Sequence, residues 1–261
     1  MTSLWPRTGP KSMPSAVDAL VLCGGAGTRL RTITGEAPKS LATIGDRPFL
    51  EILLHQLRRH GFRDVILAVG YQRDLIRSYL GDGSHGQSLK YSVETQPLGT
   101  GGALRNALDL IQSESVLIVN GDSYTDADLT AFARDSQKAK ADISVIVVPA
   151  DGRDDCGLVA VDASERVLGF KEKQTASGRH FVNAGIYMFS KRVLAEIDSG
   201  ARVSLETELF PRWLAEGKHV RAFLHHGECV DIGTPERYER AQSLLAQAEI
   251  GNSPEREEQS A

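Results

Sequence analysis

Residues 17–30, VDALVLCGGAGTRL, constrain this chain more than any other stretch. Val17, Ala19, Leu20, Val21 and Leu22 form a short run of apolar residues, the pattern of a buried strand. The run stops at Cys23-Gly24-Gly25-Ala26-Gly27. Three glycines in four positions leave the main chain bare, so N–H groups can turn inward around an anion. Arg29 adds a planar fork of donors that suits phosphate oxygens. A strand running into such a loop has the form of a nucleotide site in an α/β protein. A plain glycine-rich turn with a solvated Arg has the same local spelling. Two familiar phosphate loops are excluded. No Gly-Lys-Ser or Gly-Lys-Thr follows at the P-loop spacing, and in the GxGxxG pattern Leu30 stands where the third glycine belongs.

Beyond the loop, apolar strand runs alternate with helical patterns. Helices are expected over 48–60, 72–80, the stretch from 99 to 111, and 127–139. Strands are expected over 65–69, 89–94, 116–119 and 143–148. This order predicts an α/β fold with a Rossmann-like, mixed but mostly parallel central sheet and helices on both faces. From Gly157 the pattern changes to strands over 158–161, 167–171 and 181–189 with little helix between them. A strand over 220–224 framed by helices over 205–216 and 235–248 follows. The chain of 261 residues is therefore expected to hold a disordered leader (1–15), one domain (16–250) and a polar disordered tail (251–261). The change of pattern divides the domain into two halves, 16–150, which holds the candidate nucleotide loop, and 151–250. Met13 is a second candidate start.

Composition excludes several functions. The net charge of −4 leaves no basic stripe for nucleic acid. No apolar run reaches the ~20 residues needed to span a bilayer. Cys23, Cys156 and Cys229 are odd in number and far apart, which argues against disulfides and zinc and fits a reducing cytoplasm. His225 and His226 are adjacent but have no ligand spacing, and nothing is assigned to them.

Two carboxylates stand out. Asp122 follows an apolar strand in Asn120-Gly121-Asp122, at a sheet's carboxyl edge, and a turn or helix cap is the alternative reading. Asp231 lies in Val230-Asp231-Ile232-Gly233-Thr234-Pro235, where it could equally start a helix. Two carboxylates and phosphate oxygens make the donor set that Mg²⁺ requires.

The combination LCGGxGTRL, Pro38-Lys39 and the later segments resembles the sugar-1-phosphate nucleotidylyltransferases, over residues 22–238. The resemblance implies the nucleotide-diphospho-sugar transferase fold and a reaction joining an NTP to a sugar 1-phosphate, with release of pyrophosphate. It implies that Arg29, Lys39, Asp122 and Lys173 are catalytic, and that Asp122 and Asp231 hold Mg²⁺. Leu22, Gly24, Gly25, Gly27, Thr28, Arg29, Lys39, Gln96, Gly99, Thr100 and Asp122 would bind the nucleotide, with the loop at 97–102 reading the base. Gly157, Glu172, Lys173 and Asn183 would hold the sugar phosphate. Glu172-Lys173 could also be a solvated charge run, and Gln174 departs from the proline usual there. Asn183-Ala184-Gly185-Ile186-Tyr187 could also be an ordinary strand with a bulge at Gly185. Ser204-Leu205-Glu206 is either a further family element or a helix cap.

Within the family, the motifs look most like the guanylyltransferases of D-glycero-D-manno-heptose 1-phosphate, which implies GTP as partner. That choice rests on resemblance alone. Mannose-1-phosphate guanylyltransferases and uridylyl- or thymidylyltransferases remain alternatives. An NDP-sugar-using glycosyltransferase and a silent nucleotide-binding homologue fit the motifs less well. Relatives often form homo-oligomers.

Overall fold

The computed structural model describes residues 17–84, 86–150, 157–171 and 179–250. The leader, the tail, Cys156, Glu172, Lys173 and Gln174 lie outside the described residues.

The chain winds around one ten-stranded sheet. Strand Asp18–Leu22 lies at its centre, with Asp64–Val69 parallel on one side and Ser115–Asn120 parallel on the other. Gln87–Val93 continues the parallel half beyond Asp64–Val69. The central strand thus sits where the chain order reverses, the position at which open α/β sheets leave a crevice at their carboxyl edge.

The second half is mostly antiparallel and is organised by one long strand, Arg179–Ser190. One of its edges carries Ile143–Pro149. Its other edge carries Leu158–Val161 and then Ser115–Asn120, which joins the two halves into one sheet. The strand kinks at Gly185, where φ is 73° and the register with Ile143–Pro149 shifts. A Cβ there would lie 2.8 Å from Asn120 Nδ2. Gly185 is therefore a bulge, as the sequence suggested, and it lets strand Arg179–Ser190 close on the strand that leads to Asp122.

Alternation along the strands makes two cores. Ala19, Val21, Val65, Leu67, Leu117 and Val119 face one side, under helices Phe49–Arg59 and Pro235–Ile250. Leu20, Ile66, Ala68, Val116 and Ile118 face the other, against helix Gly99–Asn106, Phe210 and Trp213. The strands Asp18–Leu22, Asp64–Val69 and Ser115–Asn120 are thus buried on both faces, which explains their apolar spelling, while Gln87–Val93, nearer the sheet edge, leaves Ser88 and Val93 exposed. Leu20 has no exposed surface. Leu20→Ala is expected to cost about 2–5 kcal/mol of stability, read as a lowered denaturant midpoint with an unchanged slope.

Two elements differ from expectation. The stretch 205–216 begins as a π-helical turn, Leu205–Leu209, before the α-helix Phe210–Ala215. Two three-residue strands, Ser123–Thr125 and Cys229–Asp231, form a small separate sheet that no periodicity announced.

Candidate active site

The carboxyl ends of the four parallel strands, Asp18–Leu22, Asp64–Val69, Gln87–Val93 and Ser115–Asn120, open into one cavity of about 560 Å³. Of the residues read from the sequence, Leu22, Gly24, Gly25, Lys39, Gln96, Gly99, Thr100 and Asp122 line it. Gly27, Thr28 and Arg29 do not: the chain turns away at Gly27 into the short 3₁₀ helix Thr28–Leu30. Gly157, Asn183 and Asp231 are also outside the lining.

The glycine loop works by admitting side chains as well as by baring N–H groups. Gly27 has φ of 57°, and a Cβ on it would lie 2.7 Å from Lys39 Cβ. A Cβ on Gly24 would lie 2.6 Å from Glu94 Oε1. The loop thus lets Lys39 and Glu94 reach the cavity from opposite directions. Lys39 Nζ forms an ion pair with Asp122 Oδ2, and Ser123 Oγ donates to Asp122 Oδ1 at 3.1 Å.

In the sequence Glu94 only closes the strand expected over 89–94. In the structure its carboxylate lines the cavity, and Leu98 N–H donates to its Oε2 at 2.9 Å. Desolvation pushes the Glu94 carboxyl above the ordinary glutamate value, with the Leu98 bond opposing the shift. Helix Gly99–Asn106 starts on the same rim, where the Gly101 and Gly102 N–H groups of its first turn donate to the Val203 carbonyl at 3.0 and 3.4 Å.

Asp122 and Asp231, 109 positions apart, meet through the small sheet. Asp231 pairs with Ser123, and Ile232 N–H donates to the Asp122 carbonyl oxygen at 2.9 Å. Asp122 lies in the turn before strand Ser123–Thr125, as one alternative reading had it, but caps no helix, and Asp231 ends a strand instead of starting a helix. The helix cap in this region is Asp128, which accepts from Ala131 N–H at 2.9 Å. Asp231 is gripped by Arg237, whose guanidinium lies 3.0 Å from Oδ2 and 3.3 Å from Oδ1. Arg237 carried no sequence signal, because a helix-surface Arg looks the same with or without a partner.

Asn183 is tied into the strand: Gly185 N–H donates to its Oδ1 at 2.9 Å, and its amide donates to Tyr187 Oη at 2.8 Å. Tyr187 is fully buried, which holds its phenol well above the usual value. Glu206 accepts from Thr100 Oγ1 at 2.9 Å and lies 3.4 Å from Tyr187 Oη. Ser204 is a helix cap, with its Oγ accepting from Thr207 N–H at 3.3 Å. Glu206 instead bridges toward the cavity wall.

A doubly covered parallel sheet, a glycine loop at its reversal point and two carboxylates at the same edge define an α/β nucleotide-handling protein. The chain belongs to the nucleotidyl transferase family, whose model matches residues 18–248. Among its relatives is the D-glycero-alpha-D-manno-heptose 1-phosphate guanylyltransferase of Campylobacter jejuni, 35% identical over 85% of this chain and 97% of that one. The mannose-1-phosphate guanylyltransferase of Mycobacterium tuberculosis is also 35% identical, over 91% of this chain and 67% of its own length. The crystal structure of HddC from Yersinia pseudotuberculosis superposes with a TM-score of 0.78 at 30% identity, covering 88% of this chain and 99% of that one, and has also been solved complexed with GMP-PN. Among the described residues no helix is long and apolar enough to cross a membrane.

Proposed function

We propose that this protein is a guanylyltransferase that joins GTP to D-glycero-D-manno-heptose 1-phosphate, giving GDP-heptose and pyrophosphate. A phosphate oxygen of the sugar attacks the α-phosphorus of GTP. The bond from that phosphorus to the α,β-bridging oxygen breaks, and its electrons leave with pyrophosphate. The sugar phosphate is already an anion near neutral pH, so no general base is required. Positioning and charge neutralisation supply the rate.

The observation that carries the choice of base is Glu94. Guanine presents two adjacent donors, N1–H and the 2-amino group, and an ionised carboxylate accepts both at once. Adenine offers no such pair on that edge. A neutral glycine-rich loop would discriminate poorly, but a half-buried carboxylate in the cavity favours guanine by chemistry as well as by kinship.

Lys39, held at Asp122, supplies an ammonium close to where charge develops on the α-phosphate. The bare 24–25 segment offers main-chain donors to the phosphates. Arg29, Gly27 and Thr28, outside the cavity lining, suit a pyrophosphate that extends past its rim. We assign Glu172 and Lys173, with Gly157 and Asn183, to the sugar phosphate, as the family resemblance implies.

Asp122 and Asp231 fit Mg²⁺: both are hard oxygen donors, and neighbouring strands hold them together. Among the described residues no third acidic, His or Cys side chain joins them, so phosphate oxygens and water would complete the shell. When bound, the cation neutralises charge on the phosphate oxygens as the leaving group departs. Lys39 and Arg237 pair with the two carboxylates, which limits the repulsion between them.

The test is a pyrophosphate-release screen of GTP, ATP, UTP and dTTP against heptose, mannose and glucose 1-phosphates. Release with GTP and the heptose phosphate above all other pairs is expected. Preference for mannose 1-phosphate would move the assignment to the activity named for the M. tuberculosis relative. Release with UTP or dTTP alone would overturn the base assignment.

A further inference from the structure

We propose that Asp126 and His225 are positioning residues that hold Asp231 beside Asp122. This rests on the role given above to those two carboxylates. The sheet that brings them together is only three residue pairs long: Cys229 with Thr125, Val230 with Tyr124, and Asp231 with Ser123. An isolated pair of that length is marginal. A slip of one residue would turn Asp231 to the opposite face. Something beyond the ladder must fix the register.

Asp126, directly after strand Ser123–Thr125, supplies it. Its Oδ1 accepts from His225 Nε2 at 2.6 Å and from Glu228 N–H at 2.8 Å. Asp126 N–H donates to the Glu228 carbonyl at 3.2 Å. His225 N–H in turn donates to the Val147 carbonyl at 2.9 Å. One carboxylate thus ties both ends of the turn 225–228 to the end of the partner strand, and the turn is moored to the main sheet.

Gly227 shows how tightly the turn is wound on this pair. A Cβ there would lie 2.2 Å from Asp126 Oδ1 and 2.4 Å from His225 Nε2. The two side chains are only 21% and 18% exposed, so salt screens their bond weakly. Neither residue lines the cavity. The clamp closes one end of the ladder, and Asp231 stands at the other. The bonds at Glu228 therefore set where Asp231 arrives.

The experiment uses the full chain saturated with GTP and without sugar phosphate, so that no turnover occurs. Mn²⁺ is titrated in and followed by water-proton relaxation. Asp231→Asn sets the scale, with an expected loss of at least about tenfold in Mn²⁺ affinity. His225→Ala and Asp126→Ala should each lose about tenfold, like other residues that orient a metal ligand. The double variant should lose no more than either alone, because both remove one clamp. His225→Gln returns an amide donor near the place of Nε2 and should recover the affinity, whereas His225→Asn is one methylene short and should not. Amide exchange at 229–231 should quicken in His225→Ala while the main-sheet amides stay protected.

Wild-type Mn²⁺ binding by His225→Ala beside weakened binding by Asp231→Asn overturns the clamp. Wild-type binding by Asp231→Asn overturns the metal reading instead. In that case unchanged exchange at 229–231 in His225→Ala still overturns the clamp. If His225→Ala does not fold, the contrast between Gln and Asn decides the same point.

Discussion

Asp122→Asn is expected to cut turnover by about a hundredfold to a thousandfold, the loss that follows removal of one electrostatic anchor from a reacting centre. The chain should still fold. The bond that joins the two short strands at this point runs from Ile232 N–H to the main-chain oxygen of Asp122, which the substitution leaves intact. Asn Oδ1 can accept the Ser123 hydroxyl as the carboxylate does. What disappears is the negative charge that holds Lys39 and that a divalent cation would need. The ion pair is partly open to solvent, so its loss costs stability little. Steady-state kinetics and a thermal melt on the same preparation check both halves. Turnover near that of the unmodified enzyme would remove Asp122 from the chemistry.

Glu94→Gln is expected to lower kcat/KM for GTP by about tenfold to about a hundredfold, the worth of a bidentate base contact. The amide keeps the size of the side chain and can still accept Leu98 N–H. Its second terminal atom, however, becomes a donor facing the donors of guanine. Inosine triphosphate isolates the effect, because it keeps N1–H and lacks the 2-amino group. The unmodified enzyme should prefer GTP to the inosine nucleotide, and in Glu94→Gln that preference should collapse. An unchanged ratio would deny Glu94 the base.

The same residue gives a pH dependence of known sign. Only the ionised carboxylate accepts both guanine donors. Burial raises the Glu94 pKa, so the acceptor form is lost as pH falls, at a higher pH than for an exposed glutamate. KM for GTP should therefore rise on acidification. Glu94→Gln should lack this rise.

The site was legible in the sequence wherever its signals are local. Gly24, Gly25, Gln96, Gly99, Thr100 and Asp122 line the cavity, because each follows a parallel strand that ends at the sheet's carboxyl edge, and Lys39 joins them from the short 3₁₀ helix Lys39–Leu41. Arg29 reads as a cavity residue from spacing alone. The left-handed turn at Gly27, forced by the approach of Lys39, carries it away. Glu94 was visible but undistinguished, since a carboxylate at a strand end looks the same whether it faces water or a cavity. Arg237 and the Asp126–His225 pair could not be found at all, and Glu206 stood out only within Ser204-Leu205-Glu206, which reads equally as a helix cap. Asp126 and His225 lie 99 positions apart and Glu206 lies 106 from Thr100, with no periodicity to link them, while Arg237 looks like any helix-surface Arg.

By itself the sequence determined the doubly covered parallel sheet, the glycine loop at its centre and the kind of ligand such a loop accepts. These follow from hydrophobic period and backbone freedom, which are properties of neighbouring residues. Tertiary structure alone decided that Asp231 lies beside Asp122 and that Glu94 turns into the cavity. Strands of three residues carry too few side chains to specify a partner, so their pairing waits on the folded sheet, its clamp and its bulge.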